Sequence, residues 1–94
     1  MVDTNTALNL MKVRLNRRPG DTSLDAYFLP RIQAAIENLT GAGIELTAST
    51  EDLMLVVDTA VWQYQNRDKP GSMPEWLRLQ RRERWLRLRE GEGQ

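Results

Sequence analysis

Two groups of side chains in this sequence could do chemistry. One is the adjacent carboxylates Glu51 and Asp52; the other is the arginine row from Arg78 to Arg89, interleaved with Trp76 and Trp85. Paired carboxylates can share a proton or hold a metal. Arginines set among tryptophans can grip phosphates while the rings stack on bases, or can anchor a protein interface. The rest of the chain withholds what catalysis would need. Cysteine and histidine are both absent, which removes disulfides, thiolate nucleophiles, cysteine metal sites and the usual general base near neutral pH. There is no glycine-rich phosphate loop, no nucleophile–base pair and no metal-ligand spacing. Glu51 and Asp52 read better as negative charge at a helix start than as a catalytic dyad. The expectation is a protein that is not an enzyme and takes no cofactor or metal.

The elements that position these groups are helices. The first is expected from Asp3 or Thr4, both good N-caps, to about Asn16, where "RRPG" at 17–20 stops it. Leu8, Met11 and Leu15 share one of its faces. A second helix is expected from Thr22 or Ser23 to Thr40, with Gly41 as its C-terminal cap and Leu24, Phe28, Ile32, Ala35, Ile36 and Leu39 on one arc. Pro30 predicts a kink in it, or a start near that residue. "IELTAST" (44–50) is too short and isolated to found a sheet and reads as a loop.

Ser49 and Thr50 ahead of Glu51 and Asp52 predict a third helix running to about Arg67. Its main apolar arc is Leu53, Met54, Val57, Ala60, Val61 and Tyr64, while Leu55 and Trp62 lie on the far side, so it should be the central, most buried element. "NRDKPG" (66–71) then breaks the chain, and Ser72 with Glu75 forms a capping-box pattern around Pro74. A fourth helix is expected from near Met73 to about Arg89, followed by a flexible tail over 91–94. The fold class is therefore all-α: one domain over residues 1–90, a small bundle of about four helices with short loops and a basic C-terminal helix.

The last helix carries two apolar stripes. At about 100° per residue, Trp76, Leu79 and Leu86 form one, and Leu77, Trp85 and Leu88 form another nearly opposite. One stripe can pack on the helix's own domain, leaving the other for a partner, and the Trp85 stripe is the one expected to stay uncovered. Arginine stems covering a frayed helix end are the simpler alternative. Tryptophan and arginine are enriched in interface hot spots. The candidate protein-contact residues are Leu55, Trp62, Leu77, Arg78, Arg81, Arg84, Trp85 and Leu88.

The formal charge of zero hides a segregation. Residues 1–20 sum to +3, residues 21–58 to −6 and the remainder to +3. Solvated faces that differ in sign would account for this, as would a molecule whose acidic and basic flanks attract copies of itself head to tail. A monomer of this size buries only about 60 to 65% of its unfolded surface, so a partner would help. No window approaches the roughly 18 apolar residues of a membrane span, and Met1 to Pro30 has no signal-peptide core, so no membrane partner and a place inside the cell are expected. Neutrality, and the acids Glu83 and Glu90 within the arginine row, weigh against nucleic-acid binding. A small arginine-rich helical nucleic-acid-binding or regulatory protein remains the alternative.

The succession "LPRIQAAIENLTGAGIEL" (29–46), "EDLMLVVDTAVWQYQNRDKPGSMPEWL" (51–77) and an arginine-rich tail resembles the head–tail connector (adaptor, head-completion) proteins of tailed bacteriophages and prophages. The resemblance covers about residues 7–88. It rests on Ile32, Ala35, Ile36, Thr40 and Gly41, then Tyr64, Asn66 and Arg67, then Met73 and Pro74. Where such chains often continue "LRYRLNN", this one reads "LRLQRRERWLRLRE". The resemblance implies a non-catalytic, mostly helical protein forming a ring of its own copies beneath the portal protein. It also implies contacts with tail-completion proteins and a channel through which DNA passes without sequence-specific binding. The implied location is the virion head–tail junction, with the bacterial host cytoplasm as the place of assembly.

Overall fold

The computed structural model describes residues 2–18, 20–68 and 71–92, the side chains of 88–92 excepted. The chain folds into four helices, α1 (Thr4–Arg14), α2 (Asp25–Gly41), α3 (Thr50–Gln65) and α4 (Glu75–Glu92), joined by turns and irregular loops. No strand occurs among the described residues. Pro19, Lys69 and Pro70, expected in turns, and residues 93 and 94, expected in the tail, lie outside the described residues.

The Asp3 carboxylate starts α1, accepting from the Asn5 amide at 3.0 Å and the Thr6 hydroxyl at 2.9 Å. The helix ends at Arg14, short of the expected Asn16, because Asn16 takes φ 59°. That left-handed residue lets the Arg17 amide donate to the Lys12 carbonyl and the Asn16 amide to Val13, closing a Schellman motif. The end of α2 is built the same way. Its left-handed residue is Gly43 (φ 91°), not Gly41, with the Ile44 amide donating to Leu39 and the Gly43 amide to Thr40. Ile44 and Leu39 are both buried, supplying the apolar contact that accompanies the motif.

Helix α2 begins at Asp25, later than Thr22 or Ser23, because the Asp21 carboxylate holds the Ser23 amide and hydroxyl in a local turn. It then runs through Pro30, whose ring sits on the exposed face. Helix α4 begins at Glu75 with the Pro74 carbonyl accepting from the Leu77 and Arg78 amides. Ser72 therefore lies too far upstream to be its N-cap, and the expected capping box does not form. The helix also continues to Glu92, past the expected stop at Arg89.

Helix α3 is central and packs on α1, α2 and α4. Ser49 caps it, accepting from the Asp52 amide. Leu55, Val56, Val57, Thr59, Ala60 and Val61 are all buried, so the burial wraps almost around the helix. The Thr59 hydroxyl is satisfied by the Leu55 carbonyl at 2.8 Å. Against α3 lie Ala7, Leu8 and Met11 of α1, and Phe28, Ile32, Ala35 and Leu39 of α2. Phe28 and Tyr64 meet edge to face at 5.1 Å between ring centroids. A buried lysine, Lys12, ties α1 to α2 through Asp25 at 2.8 Å. The end of α3 is closed by the residues that follow it: the Asn66 side chain donates to the Trp62 carbonyl, and the Arg67 guanidinium lies 4.2 Å from the Tyr64 ring centroid.

Candidate functional site

Helix α4 rests on α3 through one anchor and one charge cluster. The anchor is Leu77, fully buried, whose removal from water is worth about 1.5 to 3 kcal/mol. Arg84, two turns on, lies within about 20° of Leu77 on the helix circumference and so points to the same side. It meets Asp52, a fully buried carboxylate in the first turn of α3. Arg84 Nε donates to Oδ1 at 2.6 Å and Nη2 to Oδ2 at 3.2 Å, while Nη2 also donates to the Glu45 carbonyl at 2.7 Å. The Thr47 amide (2.6 Å) and hydroxyl (2.8 Å) complete the shell of Asp52 Oδ2. Burial pushes the Asp52 carboxyl up, but the bonds from Arg84 and Thr47 outweigh it and hold it below the ordinary aspartate range. The hydrogen bond to Asp52 in turn raises Arg84 above its ordinary value. A carboxylate so fully occupied is a structural clasp, with no lone pair left exposed for a substrate.

Three weaker contacts flank the clasp. Arg87 pairs with Glu51, Gln80 donates to Asp58 at 3.4 Å, and Asp58 also pairs with Arg14 of α1. Trp85 is half-buried against the core beside the Gly43 turn, where a Cβ on Gly43 would stand 3.2 Å from its indole nitrogen. Arg81 touches the Met73 sulfur at 3.4 Å, and partial burial lowers its pKa.

These contacts reverse the expected orientation of α4. Leu77 and Trp85 face the domain, and the uncovered stripe is Trp76, Leu79 and Leu86, which are 53%, 49% and 39% exposed. Spacing alone defined both stripes but could not choose between them. The choice was made by Asp52, whose burial demands a cation, and Arg84 lies on the Leu77 side. Of the expected contact residues, Leu55 is buried in the core and Trp62 is packed against it, because α3 has a neighbour on that side too. Leu77, Arg84 and Trp85 are likewise occupied within the chain. Arg81 is half-buried, Arg78 remains exposed, and the Leu88 side chain lies outside the described ones.

The outer face of α4 is thus an apolar stripe with Arg78 and Arg82 beside it and Glu75 and Glu83 among them, all four exposed. Asp52, Glu45 and Thr47 carried no signal of their role beyond the helix-start pattern, since the clasp joins segments far apart in the chain. Among the described residues, no group of three or more aspartates or glutamates could hold a metal ion. No helix among them is long and apolar enough to cross a membrane. Compared with protein-family models, with curated proteins and with solved structures, the chain matches none of them.

Proposed function

We propose that the protein is a structural head–tail connector of a tailed phage or prophage. Its copies form a ring beneath the portal protein, join the DNA-filled capsid to the tail-completion proteins, and leave a channel through which DNA passes without sequence readout. The single observation that carries this reading is the exposed Trp76–Leu79–Leu86 stripe on a helix clasped to its domain from the other side. A monomer gains nothing by presenting such a stripe, and an interface gains a tryptophan anchor with arginines at its rim. The resemblance of residues 7–88 to connector chains supplies the identity of the assembly. The four exposed charges of the same face are balanced, Arg78 and Arg82 against Glu75 and Glu83, and that favours a protein partner over a polyanion.

Electron microscopy of the protein mixed with the portal of the same genome tests the reading. Wild type is expected to add a ring of density to the portal, and Leu79→Asp with Trp76→Ala to lose it while keeping the helical circular dichroism of the parent. Portal left bare by wild type would remove the proposal. Duplex-DNA binding that falls with salt and depends on Arg78 and Arg82 would favour a nucleic-acid role instead.

A further inference from the structure

Helix α2 also has an outer face, turned away from α3, whose mid-line sets small residues beside one carboxylate. Pro30, Ala34, Glu37 and Gly41 fall on its solvent side and are all exposed. Beside them Ala26, Tyr27 and Arg31 help form a shallow groove. The groove wall is held in place: Arg31 donates to the Tyr27 hydroxyl at 3.0 Å, and the Tyr27 ring stands edge-on to Tyr64 at 5.7 Å. Over Gly41 there is open space, with nothing within 4 Å of where a Cβ would be.

The outer stripe of α4 has the same spacing. Glu75, Leu79, Arg82 and Leu86 repeat at steps of four, three and four residues, as do Pro30, Ala34, Glu37 and Gly41. Laid side by side in the same direction, each residue of one series meets one of the other. Leu79 falls over Ala34, Leu86 over the open space at Gly41, Arg82 against Glu37, and Glu75 over Pro30. At three of the four positions large meets small or cation meets anion, the complementarity expected of packed helices at a parallel seam. Among the described residues, neither the Arg82 nor the Glu37 side chain has a hydrogen bond or ion pair within the chain. Both faces point away from α3, so one chain cannot join them to each other.

We propose that the outer face of α4 seats on the outer face of α2 of a second copy of this chain, in parallel register with Arg82 against Glu37 and Leu79 over Ala34. The contact is heterologous, since it uses different surfaces on the two copies and leaves the α2 of one copy and the α4 of the other still to be matched. Such contacts propagate into a closed ring or a filament. The inference rests on reading α4 as an assembly helix and names its partner as the neighbouring copy.

Sedimentation velocity on the full chain at low salt tests it through two charge reversals, Arg82→Glu and Glu37→Arg. Both positions are exposed, so the variants should fold, which circular dichroism checks. Each variant alone is expected to self-associate about tenfold or more weakly than wild type, because like charges then meet at the seam. An equimolar mixture of the two is expected to recover assembly. The reversed α4 of one variant then meets the reversed α2 of the other, the two unchanged faces meet in the same way, and opposite charges oppose at every seam. The chain has no cysteine, so copies carrying Leu79→Cys mixed with copies carrying Ala34→Cys should cross-link on oxidation and report the register. Wild type that stays monomeric at millimolar concentration, reversals without effect, or a mixture that stays dissociated would each overturn the inference. The connector reading is scored separately by portal binding. A protein that binds portal but fails the mixing test loses this interface alone, and one that passes the mixing test but ignores portal keeps the interface and loses the connector role.

Discussion

Arg84 grips both carboxylate oxygens of Asp52, a residue thirty-two positions earlier, and its second nitrogen also holds the Glu45 carbonyl. The last helix is therefore joined to the start of the central helix and to the loop before it at one buried point. Everything α4 offers to a partner depends on that point, because it sets which of two apolar stripes faces outward.

Removing one side of the clasp should loosen α4 without dissolving the rest. Asp52→Ala leaves a largely buried guanidinium unpaired, for an expected loss of about 3 to 5 kcal/mol. The check is amide exchange, faster across 75–87 than in α1 and α2. The double replacement Asp52→Leu with Arg84→Met should restore most of the stability or exceed it, since a well-packed apolar pair avoids the desolvation of both charges.

Acid should release the same helix. The Asp52 carboxyl is held below its ordinary value in the folded chain, so it contributes stability above its unfolded pKa of about 3.9. That contribution is lost as pH falls through the lower folded value. Stability should then be flat through neutral pH and fall on acidification below about pH 4. The exposed Asp3 and Asp21 are shifted in the same direction by their local hydrogen bonds, so Asp52→Asn must be compared with wild type. The difference in their urea midpoints should shrink as pH drops through this window.

The core should not tolerate a charge at its centre. Val57 is fully buried on α3, and Val57→Asp places a carboxylate within the apolar core. A penalty of several kcal/mol follows, enough to unfold a domain whose total stability is of order 5 to 15 kcal/mol. A variant with no cooperative thermal transition is the expected result.

The turn after α2 offers a test at the scale of one methyl group. Gly43→Ala puts a side chain at a left-handed φ and within 3.2 Å of the Trp85 indole nitrogen, for an expected cost of about 1 to 2 kcal/mol. Gly41→Ala lies in helical backbone with open space above it and should instead stabilise by about 0.4 to 1 kcal/mol. Paired thermal melts of the two variants should move in opposite directions.

Local chemistry in the sequence was enough to set the helices. Asp3 and Ser49 start α1 and α3 because a side-chain oxygen can reach an orphan amide within a turn, and the apolar period of Phe28, Ile32, Ala35, Ile36 and Leu39 marks the inner face of α2 without reference to anything distant. Where several residues could serve one local role, the sequence left the choice open. Gly43 rather than Gly41 took the left-handed position, and Pro74 rather than Ser72 stood ahead of α4. Only the tertiary structure decided how α4 faces. Its two stripes are nearly equal in apolar content, so hydrophobic period cannot rank them. The decision fell to a buried ion pair between Asp52 and Arg84, which forms only when segments far apart in the chain come together and which turns Leu77 inward and Leu79 outward.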